Sequence, residues 1–331
     1  MTRRALPFLS ALCLASLALP LTAAEPKPNT GTFRFDCPND EKCGVVERYR
    51  IPASDFEFKL SLRHELKTTG VKVYDLTFPS PIKTSVPENN TVHCELFIPQ
   101  GKGPFPVAVV LDILQGNALI ARGQCMWLAQ HGVAGMVVYM AHYGPRRPEG
   151  GSTRLISTNI PKSIEGVKQT VVDVRCAVAW LASRPEQFDA NNLGLVGTSL
   201  GSLVGAVVAA NEPRIKNVCL LLPGGGLVDA YYDHPQAAPY RPLLDLLGGR
   251  FTLKLLISPV DPITYAKQLK GKNLLMLCAS RDDIVPPSAA RVLWEATGKQ
   301  KIVWYDATHV GIAAFMLPVL KEMTEHIRGT K

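Results

Sequence analysis

Two runs with almost no polar residue, Pro106–Leu111 and Val133–Tyr139, constrain this chain more than any other feature. A strand with water on one face alternates apolar and polar side chains, whereas a continuous apolar run belongs to a strand covered on both faces. Shorter apolar runs of the same kind follow at Leu193–Val196, Asn217–Leu222 and Asn273–Ala279, and Ile302–Tyr305 reads as a last strand. Helical stretches separate them. Ala118–Gln130 is one, Leu200–Ala210 a second and Ser288–Thr297 a third. Another is marked by Ile164, Val167, Val171, Val174, Val178 and Leu181, with Pro185 just beyond its end, and a terminal helix starts from Gly311. Ahead of these lie two alternating strands, Val71–Phe78 and Val92–Ile98. Strand–helix alternation of this kind predicts an α/β fold: a mostly parallel central sheet flanked by helices.

Two insertions break the rhythm, residues 141–163 and 223–271. Both leave the carboxyl end of a strand, where open α/β sheets bind ligands, so they are expected to form a partial cover over a site. Residues 25–65 carry no clear period and read as an N-terminal extension packed outside a single domain spanning 66–331. No internal repeat or interdomain linker is visible.

Residues 1–24 read as a secretory signal peptide. Arg3 and Arg4 precede the uncharged apolar run Leu9–Leu21, and Thr22-Ala23-Ala24 supplies small residues before Glu25. The run is short and broken by Pro20, so no stable membrane span is expected after cleavage, and the protein is expected to be exported, periplasmic or extracellular. The net charge of +8 includes both leader arginines, leaving +6. No basic block interleaved with aromatics accompanies it, which gives nucleic-acid binding no support. One of the eight cysteines, Cys13, lies in the leader, so seven remain and at least one has no partner within the chain. Cys37 and Cys43 flank a turn-rich stretch and could close a small loop, while Cys94, Cys176, Cys219 and Cys278 sit in apolar runs as small core residues. No Cys/His spacing fits a metal site, and neither metal nor cofactor is expected.

The chemistry concentrates at three places. Gly197-Thr198-Ser199-Leu200-Gly201 lies where a strand gives way to a helix, and a serine on such a sharp turn stands clear of the backbone at the positive end of a helix dipole. Asp306-Ala307-Thr308-His309 follows the last strand, and its histidine is placed as a base; His326, inside the terminal helix, is not. Ser280-Arg281-Asp282-Asp283-Ile284-Val285-Pro286 follows the strand before it. Either aspartate could be a turn residue or the acid, and neighbouring side chains at a strand end point to opposite sides.

From Leu66 to Arg328 these motifs resemble the α/β-hydrolase superfamily, most closely its dienelactone-hydrolase-type and acetyl-esterase-type bacterial members. The resemblance implies the chain order nucleophile, acid, histidine, hence Ser199, Asp282 and His309. Asp282 fits the superfamily register, in which two residues separate the acid from a Val-Pro pair; Asp283 is one position late, and Asp229 is a remoter alternative. It also implies backbone N–H donors for an oxyanion, one from Leu200 and one after the strand ending at Leu111. There Asp112-Ile113-Leu114-Gln115-Gly116 replaces the usual His-Gly, leaving Ile113 or Leu114. The implied activity is serine-dependent cleavage of a carboxylic ester, acting on a small-molecule or carbohydrate ester. A peptidase or a lactone or carbon–carbon hydrolase would use the same triad, and a non-catalytic binding protein could keep the fold. His142, Tyr143, Arg146 and Arg147 cluster after a buried strand: they either bind substrate or pin the long loop. Gly224-Gly225-Gly226 lacks phosphate-binding spacing and reads as a turn into the second insertion.

Overall fold

A computed structural model of the protein describes residues 29–233, 238–239, 241–246 and 248–329; the signal peptide read at 1–24 lies outside the described residues. Ten strands form one sheet in the order β1-β2-β3-β4-β6-β5-β7-β8-β9-β10. The buried apolar runs occupy its middle: β5 (Phe105–Leu111), β6 (Ala134–Val138), β7 (Phe188–Thr198), β8 (Ile215–Leu221) and β9 (Asn273–Ala279). These strands and β10 (Lys301–Tyr305) pair in parallel. β1 (Asn29–Phe35), β2 (Ser54–Leu66), β3 (Val71–Pro79) and β4 (Thr91–Ile98) continue the sheet antiparallel. Parallel neighbours need a crossover, and the helices supply it while covering the sheet.

Two helices, α2 (Ile160–Ala182) and α3 (Leu200–Asn211), pack on one another, and α2 reaches β1 at the sheet edge. Trp180 of α2 is fully buried between Phe58 and Phe188. α1 (Leu119–Gln130) packs on β6 and touches the terminal α9 (Met316–Arg328), which crosses β7 and β8. His326 of α9 bonds the carbonyls of Val218 and Asn273 through Nε2, each at 3.0 Å, and so ties the helix to β8 and β9.

The stretch 25–65 departs from its expectation. Its described part contributes two full strands, and Phe56, Phe58, Leu60 and Leu62 do alternate along β2. Its intervening loop packs on α2 through a buried ionic cluster. Arg175 holds the Asp40 carboxylate at 2.6 and 2.8 Å and reaches Glu212 at 3.4 Å. Charges this deep are tolerated only when paired, so the loop is pinned rather than draped. Cys37 and Cys43 are both free thiols, while Cys94, Cys125, Cys176, Cys219 and Cys278 are buried, and burial raises each of those thiols' pKa.

Of the insertions, residues 141–163 follow β6 and residues 223–271 follow β8. The second contains α4 (Leu227–Tyr232), α5 (Arg241–Leu246), α6 (Gly249–Ile257) and α7 (Ala266–Lys270). The Asp261 carboxylate fastens its entry by accepting from the N–H groups of Gly226 at 2.9 Å and Leu227 at 2.7 Å. Among the described residues no helix is long and apolar enough to cross a membrane.

Candidate active site

Ser199 sits between β7 and α3 with φ 53° and ψ −117°, a backbone conformation that a side chain disfavours. What holds it there is close approach of the main chain. A Cβ on Gly197 would stand 2.2 Å from the Gly201 carbonyl oxygen, and one on Gly201 would stand 2.3 Å from that of Leu111. Only glycine fits at either position. The Ser199 N–H donates to the Leu221 carbonyl at 2.9 Å, and the Ser199 carbonyl accepts from the Ser202 hydroxyl at 2.6 Å. Gln124 of α1 reaches the neighbouring Thr198 hydroxyl at 3.0 Å.

His309 brings its Nε2 to 2.9 Å from the Ser199 hydroxyl, although 110 residues separate the two. Its Nδ1 lies 2.9 and 2.8 Å from the two carboxylate oxygens of Asp282. The same carboxylate accepts from the Ile284 N–H at 2.9 Å and the Val285 N–H at 2.8 Å, which fixes its plane. The two loops are stitched together: the Ser280 N–H bonds the Tyr305 carbonyl at 2.8 Å, and the Arg281 N–H bonds that of Ala307 at 3.0 Å. Both side chains are largely buried, 10% exposed for His309 and 3% for Asp282. The alternatives fall elsewhere. Asp283 is exposed and accepts the backbone N–H of His309 at 3.3 Å, away from the imidazole. Asp229 lies half exposed on the cover, paired with Lys254 at 2.7 Å and Arg250 at 3.5 Å.

The loop after β5 faces the hydroxyl from the other side, and Asp112 organises it. This buried carboxylate accepts from the N–H groups of Ala118 at 2.8 Å and Ala121 at 3.3 Å at the start of α1. Burial pushes its pKa up, and the backbone N–H groups around it work against that shift. Gln115 donates its N–H to the Tyr143 hydroxyl at 3.0 Å. Leu114 lines the same cavity as Ser199 and Leu200. The role of Asp112 was not legible beforehand. Asp112 stands six residues ahead of the first N–H it accepts, too far for a helix-cap signal.

The cluster His142, Tyr143, Arg146 and Arg147 divides. Arg146 is fully buried and does not reach the cleft, which corrects its candidacy as a substrate ligand. It pairs with Asp173, also fully buried, at 2.7 Å and donates to the carbonyls of Tyr139 and Asn89 at 2.9 and 2.8 Å. It pins the loop. Tyr143 supports Gln115, and it lines a small hollow beside Leu114 together with His142 and Arg147.

Ser199 opens into a cavity of about 350 Å³ lined by residues of both insertions, including Ile156, Ser157, Leu227, Tyr231, Ile257 and Val260. Larger depressions occur elsewhere, such as one of 590 Å³ over β1–β3, but the residues lining it include no histidine, cysteine or serine. Volume alone does not make a reactive site. A hydroxyl in line with an imidazole and a carboxylate, at the start of a helix, is an arrangement suited to acyl transfer.

No protein-family model matches the chain. Two uncharacterized proteins of Mycobacterium tuberculosis, from strains CDC 1551 and H37Rv, are each 28% identical over 148 residues, or 45% of this chain and 35% of theirs. The chain thus spans about a third of the length of the curated relatives it matches. Among solved structures, acetyl xylan esterase 1 from Thermoanaerobacterium sp. superposes with a TM-score of 0.64 at 18% identity, covering 86% of this chain and 94% of that one. An acetyl xylan esterase from Paenibacillus sp. R4 gives 0.64 at 19% identity, covering 87% and 92%. A candidate dienelactone hydrolase from Klebsiella pneumoniae gives 0.50 at 18% identity, covering 77% and 98%. The fold is that of the α/β-hydrolases.

Proposed function

We propose that this chain is a serine hydrolase that cleaves a carboxylic ester through an acyl-enzyme intermediate. One observation carries the reading: the unbroken line from the Ser199 hydroxyl through the His309 ring to the Asp282 carboxylate, with spacings of 2.9 and 2.8 Å. A serine hydroxyl is a weak nucleophile until a base accepts its proton. In this reading His309 Nε2 takes that proton as Ser199 Oγ attacks the ester carbonyl. Asp282 holds the proton on Nδ1, keeps the ring in the productive tautomer and stabilises the imidazolium that forms. The oxyanion is received by the N–H groups of Leu200 and Leu114, each donor contributing about 3 kcal/mol. His309 then protonates the departing alcohol, and water attacks the acyl-enzyme by the reverse path. No step calls on a cofactor or metal.

A fluorophosphonate probe tests this directly, since it labels only an activated serine. Labelling of the wild type, its loss in Ser199→Ala and turnover of p-nitrophenyl esters are expected. An unlabelled wild type would leave a non-catalytic binding protein. An anilide cleaved faster than its matching ester would make the protein a peptidase instead. Export is part of the same proposal and rests on Arg3, Arg4 and the apolar run Leu9–Leu21. Mass spectrometry of protein secreted by a bacterial host should find Glu25 at the N-terminus.

A further inference from the structure

The cavity behind Ser199 has one chemical character. Val167 of α2, Leu203 and Val204 of α3, Leu227 of α4 and Ile257 of α6 form its walls. Among the described residues no charged side chain lines it, and one of its few hydroxyls, that of Tyr231, is engaged with the Ile284 carbonyl at 2.6 Å. A sugar ring carries a hydroxyl on most of its carbons, and each one drawn into such a lining without a partner loses a hydrogen bond to water. A two-carbon acyl group would leave most of the space empty and its walls short of contacts. A run of methylenes suffers neither penalty.

A second hollow of about 170 Å³ shares Leu114 and Ile156 with the first, but its other walls include Gln115, Asn117, His142, Arg147 and Arg154. The two hollows offer an ester opposite environments. Ser199 belongs to the apolar one and does not line the polar one. The half of the substrate that becomes bonded to Ser199 is the acyl half.

Resting on the ester-hydrolase reading above, we propose that the apolar cavity is an acyl pocket. Its substrates are then esters of apolar acyl groups of about six to ten carbons, since 350 Å³ accommodates roughly a dozen groups the size of a water molecule. The polar hollow takes the alcohol half. This departs from the acetyl group that the names of its acetyl xylan esterase fold relatives would suggest.

Two ester series test the assignment. With p-nitrophenol as the constant leaving group, kcat/KM should rise about fourfold per added methylene from acetate to hexanoate, on the order of 10² in all. With acetate as the constant acyl group, lengthening the alkyl alcohol should bring no comparable gain. A flat or falling acyl series overturns the proposal, and so does a rise confined to the alcohol series. Val167→Phe fills the pocket from α2 and should move the optimum to acetate or butyrate, whereas an optimum left at hexanoate or longer overturns the proposal. Should it fail to fold, Ile257→Trp on the half-exposed cover helix fills the same space. Fluorophosphonate labelling keeps the two readings apart: a labelled enzyme that prefers acetate defeats the pocket and leaves the hydrolase. Binding to Ser199→Ala reads the pocket without chemistry. p-Nitrophenyl octanoate should bind at least tenfold more tightly than the acetate, and equal affinities by calorimetry overturn the proposal whatever the labelling shows.

Discussion

The strained serine makes a prediction about stability that is independent of substrate. Ser199 holds φ 53° and ψ −117°, a conformation costing about 1–3 kcal/mol for any residue with a Cβ. Ser199→Ala and Ser199→Gly both delete the hydroxyl that meets His309 at 2.9 Å, so each loses that hydrogen bond, about 0.5–1.5 kcal/mol. Only glycine also relieves the strain. Against this stands its greater freedom in the unfolded chain, about 0.4–1 kcal/mol. The difference leaves Ser199→Gly more stable than Ser199→Ala by roughly 1 kcal/mol, which raises Tm by about 2–4 °C for a domain of this class. Thermal unfolding followed by circular dichroism reads the shift, and both variants are expected to be inactive. Ser288, inside the regular helix α8 (Pro287–Ala296), is the internal control. There the order should invert, with glycine the less stable by up to about 1 kcal/mol. If Ser199→Ala melts at or above Ser199→Gly, the elbow stores no strain and the argument for a forced nucleophile geometry fails.

Gly201→Ala should cost about 1–3 kcal/mol by urea unfolding, because the new methyl meets the carbonyl oxygens of Leu111 and Asp112 at 2.3 and 2.5 Å; wild-type stability would show that α3 can withdraw freely. Asp282→Asn should lower kcat on a p-nitrophenyl ester by roughly 10³–10⁴, and Asp283→Asn by less than tenfold. Equal losses would return the choice between the two aspartates to the open. Tyr143→Phe removes the acceptor of the Gln115 N–H and should lower kcat about tenfold with KM unchanged, whereas a rise in KM alone would make Tyr143 a substrate ligand. Glu95, almost fully buried, would titrate high from burial alone, but the Arg122, Tyr139 and Arg63 groups around it hold its pKa below the usual carboxylate value. Its contribution is therefore complete above that range and lost as pH falls through the folded-state value. Glu95→Gln should cost about 1–3 kcal/mol at pH 7, and the cost should shrink as pH falls through the folded-state value and the wild-type carboxyl is protonated too; a penalty independent of pH, read from urea midpoints, would refute the ionic account.

Local patterns determined much of this protein. Continuous apolar runs marked the strands with both faces covered, and the spacing from Ile164 to Leu181 marked α2 within a few residues. The glycines around Ser199 marked the turn because backbone crowding leaves no other residue. Such features are legible because each reflects which face of a segment meets water, or how closely the main chain passes itself. Where a polar group finds its partner is a different kind of question. Arg146 and Arg147 are adjacent in the chain, yet one is buried against Asp173 and the other lines an exposed hollow. Asp112 shapes the loop that carries Leu114 to the cavity, through contacts with a helix that begins seven residues later. The alternation in β2 became a sheet strand only because β3 and β1 lay beside it to take its hydrogen bonds. Tertiary structure decided these matters, since a polar side chain's partner depends on which distant segments the strand order brings to the same end of the sheet. The apolar cavity is the furthest case: its walls come from both insertions and two helices, and no single stretch of the chain encodes its shape.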